Sequence, residues 1–156
     1  MPGFGGAMQG MPGMGYAGGA GAKPTMRNAF VFGLLPELVW FFLPQIVNGV
    51  ANAIDLPILY SLSGLFNLAA IIWLLLNTLK ALNEMRNAAG NPTFPRWPIF
   101  IPIYSWIYFI SMVPKEVMKA KQMRGLQPTH KSVALYFFFP CFALQSDLNE
   151  IAAAPG

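Results

Sequence analysis

The strongest constraint on this chain is a set of four long apolar runs, at residues 29–47, 56–76, 97–113 and 133–145. Glu37 is the only Asp, Glu, Lys or Arg in any of them. As helices, the first would reach about 28 Å, the third about 25 Å and the fourth about 20 Å. The second is long enough to cross a hydrocarbon core of about 30 Å. Charged residues make up 10% of the sequence and hydrophobic ones 55%, so a water-soluble fold would leave large apolar patches facing solvent. The expectation is an all-α membrane protein of four short transmembrane helices, arranged as two tandem hairpins with amphipathic helical extensions. The short fourth run must recruit its flanks, thin the bilayer, or re-enter and leave on one side.

The flanks set the domain limits: an uncharged Gly/Met-rich tail at 1–26, a first hairpin at 27–92 and a second at 93–156. Residues 1–22 carry no charged side chain and no continuous apolar core, which is not the pattern of a signal peptide. Such a segment reads either as disordered or as a Met/aromatic tail ordered against a partner.

After the second run, Leu76, Leu79, Leu82 and Met85 recur every third residue up to Gly90-Asn91-Pro92, a helix stop. After the third, Pro114 opens a basic amphipathic segment ending at Gly125. Its Lys115, Lys119, Lys121 and Arg124 are candidates for contact with lipid headgroups or a partner.

A gapless shift of 66 residues superposes Pro36 on Pro102 and Trp40 on Trp106. The same shift lays Leu82-Asn83-Glu84 over Leu148-Asn149-Glu150. The second hairpin therefore reads as a duplicate of the first, in the same membrane orientation. In that layout the loops at 48–55 and 114–131 share one side, while the tail, the 77–96 connection and the carboxyl end share the other. Lys and Arg then divide five and five, and the positive-inside rule gives no orientation. If the third and fourth runs both re-enter, all ten fall on one side.

Ile101-Pro102-Ile103-Tyr104, Phe139-Pro140 and Leu144-Gln145-Ser146-Asp147-Leu148-Asn149-Glu150 together resemble a bacterial family of small integral membrane proteins known only as a domain of unknown function. That family often carries a low-complexity or zinc-ribbon amino terminus. The resemblance covers the second half closely and the first half loosely. It implies the bacterial inner membrane and no established activity. The tail here holds no cysteine, so no zinc ribbon is expected.

Glu37 is the leading candidate for chemistry, because a carboxylate in lipid must be neutral, paired or facing water. It reads either as a protonatable group on an ion path or as a helix–helix hydrogen bond to Asn67 or Ser63, the latter being favoured. Ser61, Ser63 and Gly64 would let helices approach closely. Cys141 is the only cysteine and His130 the only histidine, which excludes metal sites built on Cys pairs or several His. His130 is left as a lone, poorly supported axial ligand for a pigment or haem. No phosphate loop, Gly-x-Ser-x-Gly or His-Glu-x-x-His motif is present.

The sequence thus predicts no enzyme. It predicts a structural or accessory protein packing into a homo-oligomer or a larger membrane complex, with membrane lipids and other subunits as partners and no nucleic acid. The alternatives are a small channel or transporter protomer built on Glu37, and a lipid-interacting, membrane-shaping protein.

Overall fold

The computed structural model describes residues 21–155, and among these there is helix but no strand. Most of the 1–26 tail therefore lies outside the described residues. A wide π-helical turn, Phe30–Leu34, leads into α1, Leu35–Ile54. Asp55 ends α1 in the left-handed region (φ 50°, ψ 49°), a conformation that a short polar side chain tolerates. Its N–H bonds back to the Ala51 carbonyl, and Tyr60 donates its hydroxyl to Asn52 across the turn. The chain returns as α2, Ile58–Ala88, which packs along α1 as a hairpin. Phe30–Ile54 and Ile58–Ala88 are both long and apolar enough to cross a membrane. Only 22% and 11% of their most apolar windows are buried, so neither is a core helix wrapped by the rest of the fold.

The second run and its amphipathic extension are one continuous α2. Its inward stripe is Thr78, Ala81, Leu82, Met85 and Ala88, a true helical spacing rather than the expected threefold repeat. Leu82 and Met85 are core, and Leu76 faces outward.

The third and fourth runs are not single spanning helices. The third divides into a 3-10 turn (Trp97–Phe100), α3 (Pro102–Ile107) and a π-helical turn (Tyr108–Met112) that continues into α4, Val113–Gln122. Ile101 is extended (φ −111°, ψ 107°), as expected of a residue before proline. The fourth breaks at Phe139 (φ −138°, ψ 64°), which separates α5 (Val133–Phe138) from α6 (Pro140–Ala153). Pro140 follows, and its ring disfavours helix at the preceding residue.

The core sits where these shorter elements gather around the carboxyl-terminal half of α2. Leu82, Met85 and Ala88 of α2 meet Val113, Val117 and Ala120 of α4, and Leu144, Leu148 and Ile151 of α6. Tyr108 and Tyr136 are also fully enclosed. Tyr108 donates its hydroxyl to the Pro95 carbonyl at 2.6 Å. The two Leu-Asn-Glu triplets lie close to this core. Leu82 and Leu148 both lie in the core, and each following asparagine reaches the other half. Asn149 brackets the Arg27 backbone, accepting from its N–H at 3.0 Å and donating to its carbonyl at 2.6 Å. Asn83 accepts from the Arg96 guanidinium at 2.7 Å.

Candidate functional site

Two polar centres stand out in an otherwise apolar molecule. The first is built on Glu37. Pro36 and Glu37 open α1 facing inward, and both are buried. The amino end of α6 comes to meet them. Pro140 has no N–H to offer, and Phe139 makes no side-chain cap. The next free donor, the Cys141 N–H, points at Glu37 Oε1 at 2.7 Å. A carboxylate from α1 thus caps α6, satisfying an orphan donor and meeting the positive end of the helix dipole. Around it, Cys141 Sγ lies 2.8 Å from Thr78 Oγ1, which also donates to the Leu74 carbonyl. Close approach is possible because Gly33 faces the α6 backbone. A Cβ at Gly33 would stand 2.5 Å from Phe142 Cα.

This replaces the expected partners of Glu37. Neither Asn67 nor Ser63 reaches it. Ser63 is buried and donates to the Pro44 carbonyl at 3.4 Å, and Asn67 Oδ1 has no partner. Ser61 and Gly64 face outward, and no atom comes within 4 Å of a Cβ built on Gly64. The close helix approach falls at Gly33 instead.

The second centre is an ionic base. Lys121 on α4 is 2% exposed and donates to Asp147 of α6, which is fully enclosed, at 2.8 Å. It also donates to Glu150 at 2.5 Å. Lys131 pairs with Glu150 through its ammonium and gives its backbone N–H to Asp147 at 3.1 Å. Tyr136 donates to the same Asp147 oxygen at 2.7 Å. Burial alone would lower the Lys121 ammonium. The Asp147 and Glu150 hydrogen bonds and charges outweigh it and hold the group above its ordinary 10.5. Burial would raise Glu150, but Lys121 and Lys131 hold it below its ordinary 4.5.

Alongside, Arg27 forks onto Glu84 through its two terminal guanidinium nitrogens, Nη1 and Nη2. Lys23 reaches the Ala154 carbonyl at 2.6 Å, and Arg124 the Gly21 carbonyl at 2.5 Å. The base therefore ties the segment before α1 to the ends of α2, α4 and α6. The 114–131 loop, expected opposite the tail, the 77–96 connection and the carboxyl end, meets them at one end of the molecule, away from the 48–55 loop.

Of the four basic residues expected to face lipid or a partner, Lys115 is exposed, whereas Lys121 is internal. Lys119 lies 3.8 Å from Glu116. In the duplicated motif, Glu84 and Glu150 are ion-pair acceptors, while Trp40, Pro102 and Trp106 lie on the outer surface. His130 stacks edge-on near Tyr136, with ring centroids 6.1 Å apart, and Nδ1 is bonded to the Lys131 carbonyl.

Sequence reasoning missed Asp147, Tyr136 and Arg27. Asp147 left a signal, since it falls inside the apolar stripe of Leu144, Leu148 and Ile151 and, at the 66-residue shift, over core Ala81. Among the described residues, no group of three or more His, Cys, Asp or Glu side chains could hold a metal ion. Comparison with protein-family models, curated proteins and solved structures finds no match to this chain.

Proposed function

We propose that this is a non-catalytic integral membrane protein that packs into a homo-oligomer or a larger membrane complex. In this reading the α1–α2 hairpin crosses the bilayer and the ionic base lies on the cytoplasmic side of a bacterial inner membrane. The observation that carries it is the outer surface of the hairpin. Phe41, Phe42, Ile46, Val50, Ile54, Leu62, Leu65, Leu68 and Ile72 are all exposed, which suits lipid and not water. No Lys or Arg occurs between residues 28 and 79, and the base gathers cations from both halves. An all-on-one-side count favours the cytoplasm for the base.

Association is supported by an amide that lipid cannot satisfy. Gln45 is exposed in mid-α1, where a hydrogen-bonding side chain favours a neighbouring helix. The ion-path reading has less support, because Glu37 is enclosed and engaged by α6.

Two measurements test the proposal. Single cysteines at Asp55 and Thr129, in a Cys141→Ala background, should react with an impermeant thiol reagent from opposite sides of sealed vesicles. Labelling from the same side would restore the two-sided four-span layout. Purification in mild detergent should bring down a stoichiometric oligomer or partner, and a monodisperse lone monomer would overturn the packing role.

A further inference from the structure

The second half of the molecule also carries a large outward apolar surface, and it differs in kind from that of the hairpin. Trp97, Phe100, Ile101, Ile103, Trp106 and Ile107 are exposed on the first arm of this half. Ile103, at 83%, is almost bare. Phe137 and Phe138 continue the surface on α5, Phe138 at 67% exposed. Trp106 and Phe137 join the two arms edge to face, with centroids 4.5 Å apart. No water-facing role explains nine-atom rings and branched aliphatics presented side by side.

The elements that present them are short. α3 and the following π-helical turn run on into α4, but Lys115, Glu116, Lys119 and Lys121 of α4 leave only about eleven apolar helical residues before it, about 16 Å, and α5 is six residues, about 9 Å. Neither crosses a core of about 30 Å. Each arm also starts and finishes on the ionic base. Arg96, before the first arm, bonds Asn83 next to the Arg27–Glu84 pair, and Lys121, at its end, pairs with Asp147. Lys131, before α5, pairs with Glu150 near the end of α6. Both arms therefore leave and return on one side.

We infer that this half is a wedge seated in the acyl chains of the leaflet next to the ionic base, and that through it the protein prefers and promotes curvature of that leaflet. The inference rests on the reading of α1–α2 as a membrane-crossing hairpin. The occupant is lipid for two reasons. The wedge surface continues the apolar hairpin, which packs against it through α6. The base below it gathers Lys23, Arg27, Arg96, Lys121, Arg124 and Lys131 around Glu84, Asp147 and Glu150, an excess of positive charge that suits anionic headgroups. The hairpin displaces lipid from both leaflets, whereas the wedge displaces it from one. Such one-sided burial makes binding sensitive to curvature.

The test uses the full chain reconstituted into phosphatidylcholine/phosphatidylglycerol vesicles extruded at a small and a large diameter, with the base outside. Protein density per lipid should be several-fold higher on the small vesicles, and Ile103→Asn with Phe138→Asn should abolish that preference. Because both side chains are exposed, these changes leave the core intact. Nitroxides placed at residues 103 and 138 should be shielded from a water-soluble relaxation agent and lie in the base-side leaflet. Equal density on both vesicle sizes, or nitroxides open to water, would overturn the wedge. Labelling of Asp55→Cys and Thr129→Cys from opposite faces in the same vesicles would show that the hairpin reading survives such a failure. Labelling from one face would sink both together.

Discussion

Lys121 and Asp147 form an ion pair with almost no access to water. Taking one partner away leaves a buried charge alone, so Lys121→Met should destabilise the fold by about 3–5 kcal/mol. Denaturant unfolding in detergent would measure it. Adding Asp147→Leu should return only part of that loss, since Tyr136 and the Lys131 N–H both lose their acceptor. The same centre fixes a pH response. Lys121 is held above 10.5, so its contribution is complete below that value and is lost as pH climbs through the folded-state value. Glu150 is held below 4.5, so its contribution is present above 4.5 and fades as pH falls through its folded-state value. Melting temperature should be flat across neutral pH for these two groups and fall at both extremes. Glu150→Gln should flatten part of the acid limb, and an unchanged limb would remove Glu150 from that role.

Between α1 and α6 the contact depends on a missing side chain. Gly33→Ala places a Cβ against Phe142 backbone atoms that cannot rotate away, and the resulting overpacking should cost about 1–3 kcal/mol. The readout is double: a lower melting temperature, and faster reaction of the buried Cys141 thiol as the start of α6 lifts from Glu37. Glu37→Gln should keep an acceptor for the Cys141 N–H and change little, while Glu37→Leu should expose Cys141 as Gly33→Ala does. Equal thiol rates in both Glu37 variants would show that the cap is not what holds α6.

Much at this scale was legible beforehand. Apolar length and the Gly90 stop marked α2, and the Leu-Asn-Glu motif marked two equivalent helix ends. The breaks were written as Ile101-Pro102 and Phe139-Pro140, but long apolar runs outweighed the proline rule in a reading by hydropathy. The partner of Glu37 was not legible, because an N–H donor at a helix start leaves no mark in residue identity.

At the level of the whole molecule, charge and shape come together at one end, where the third and fourth runs, broken at Ile101-Pro102 and Phe139-Pro140, bring their flanking residues to one base. A purely duplicated pattern balances five cations against five and leaves orientation open. Once Arg27, Arg96, Lys121 and Lys131 share one base, the far end at Asp55 holds no cation at all. The two halves of the chain therefore differ in build. The first is long enough to cross and carries the apolar girth, while the second is broken by proline and carries the ionic anchor. An orientation resting on so lopsided a count should resist small changes. Asp55→Lys adds one cation to the far turn against the six that meet at the base, and the Thr129→Cys reporter should still label from a single side. A mixed labelling pattern with this one substitution would mean that the base does not set the topology, and that the broken runs, with the residues that seal them, are held in place by something other than their charge.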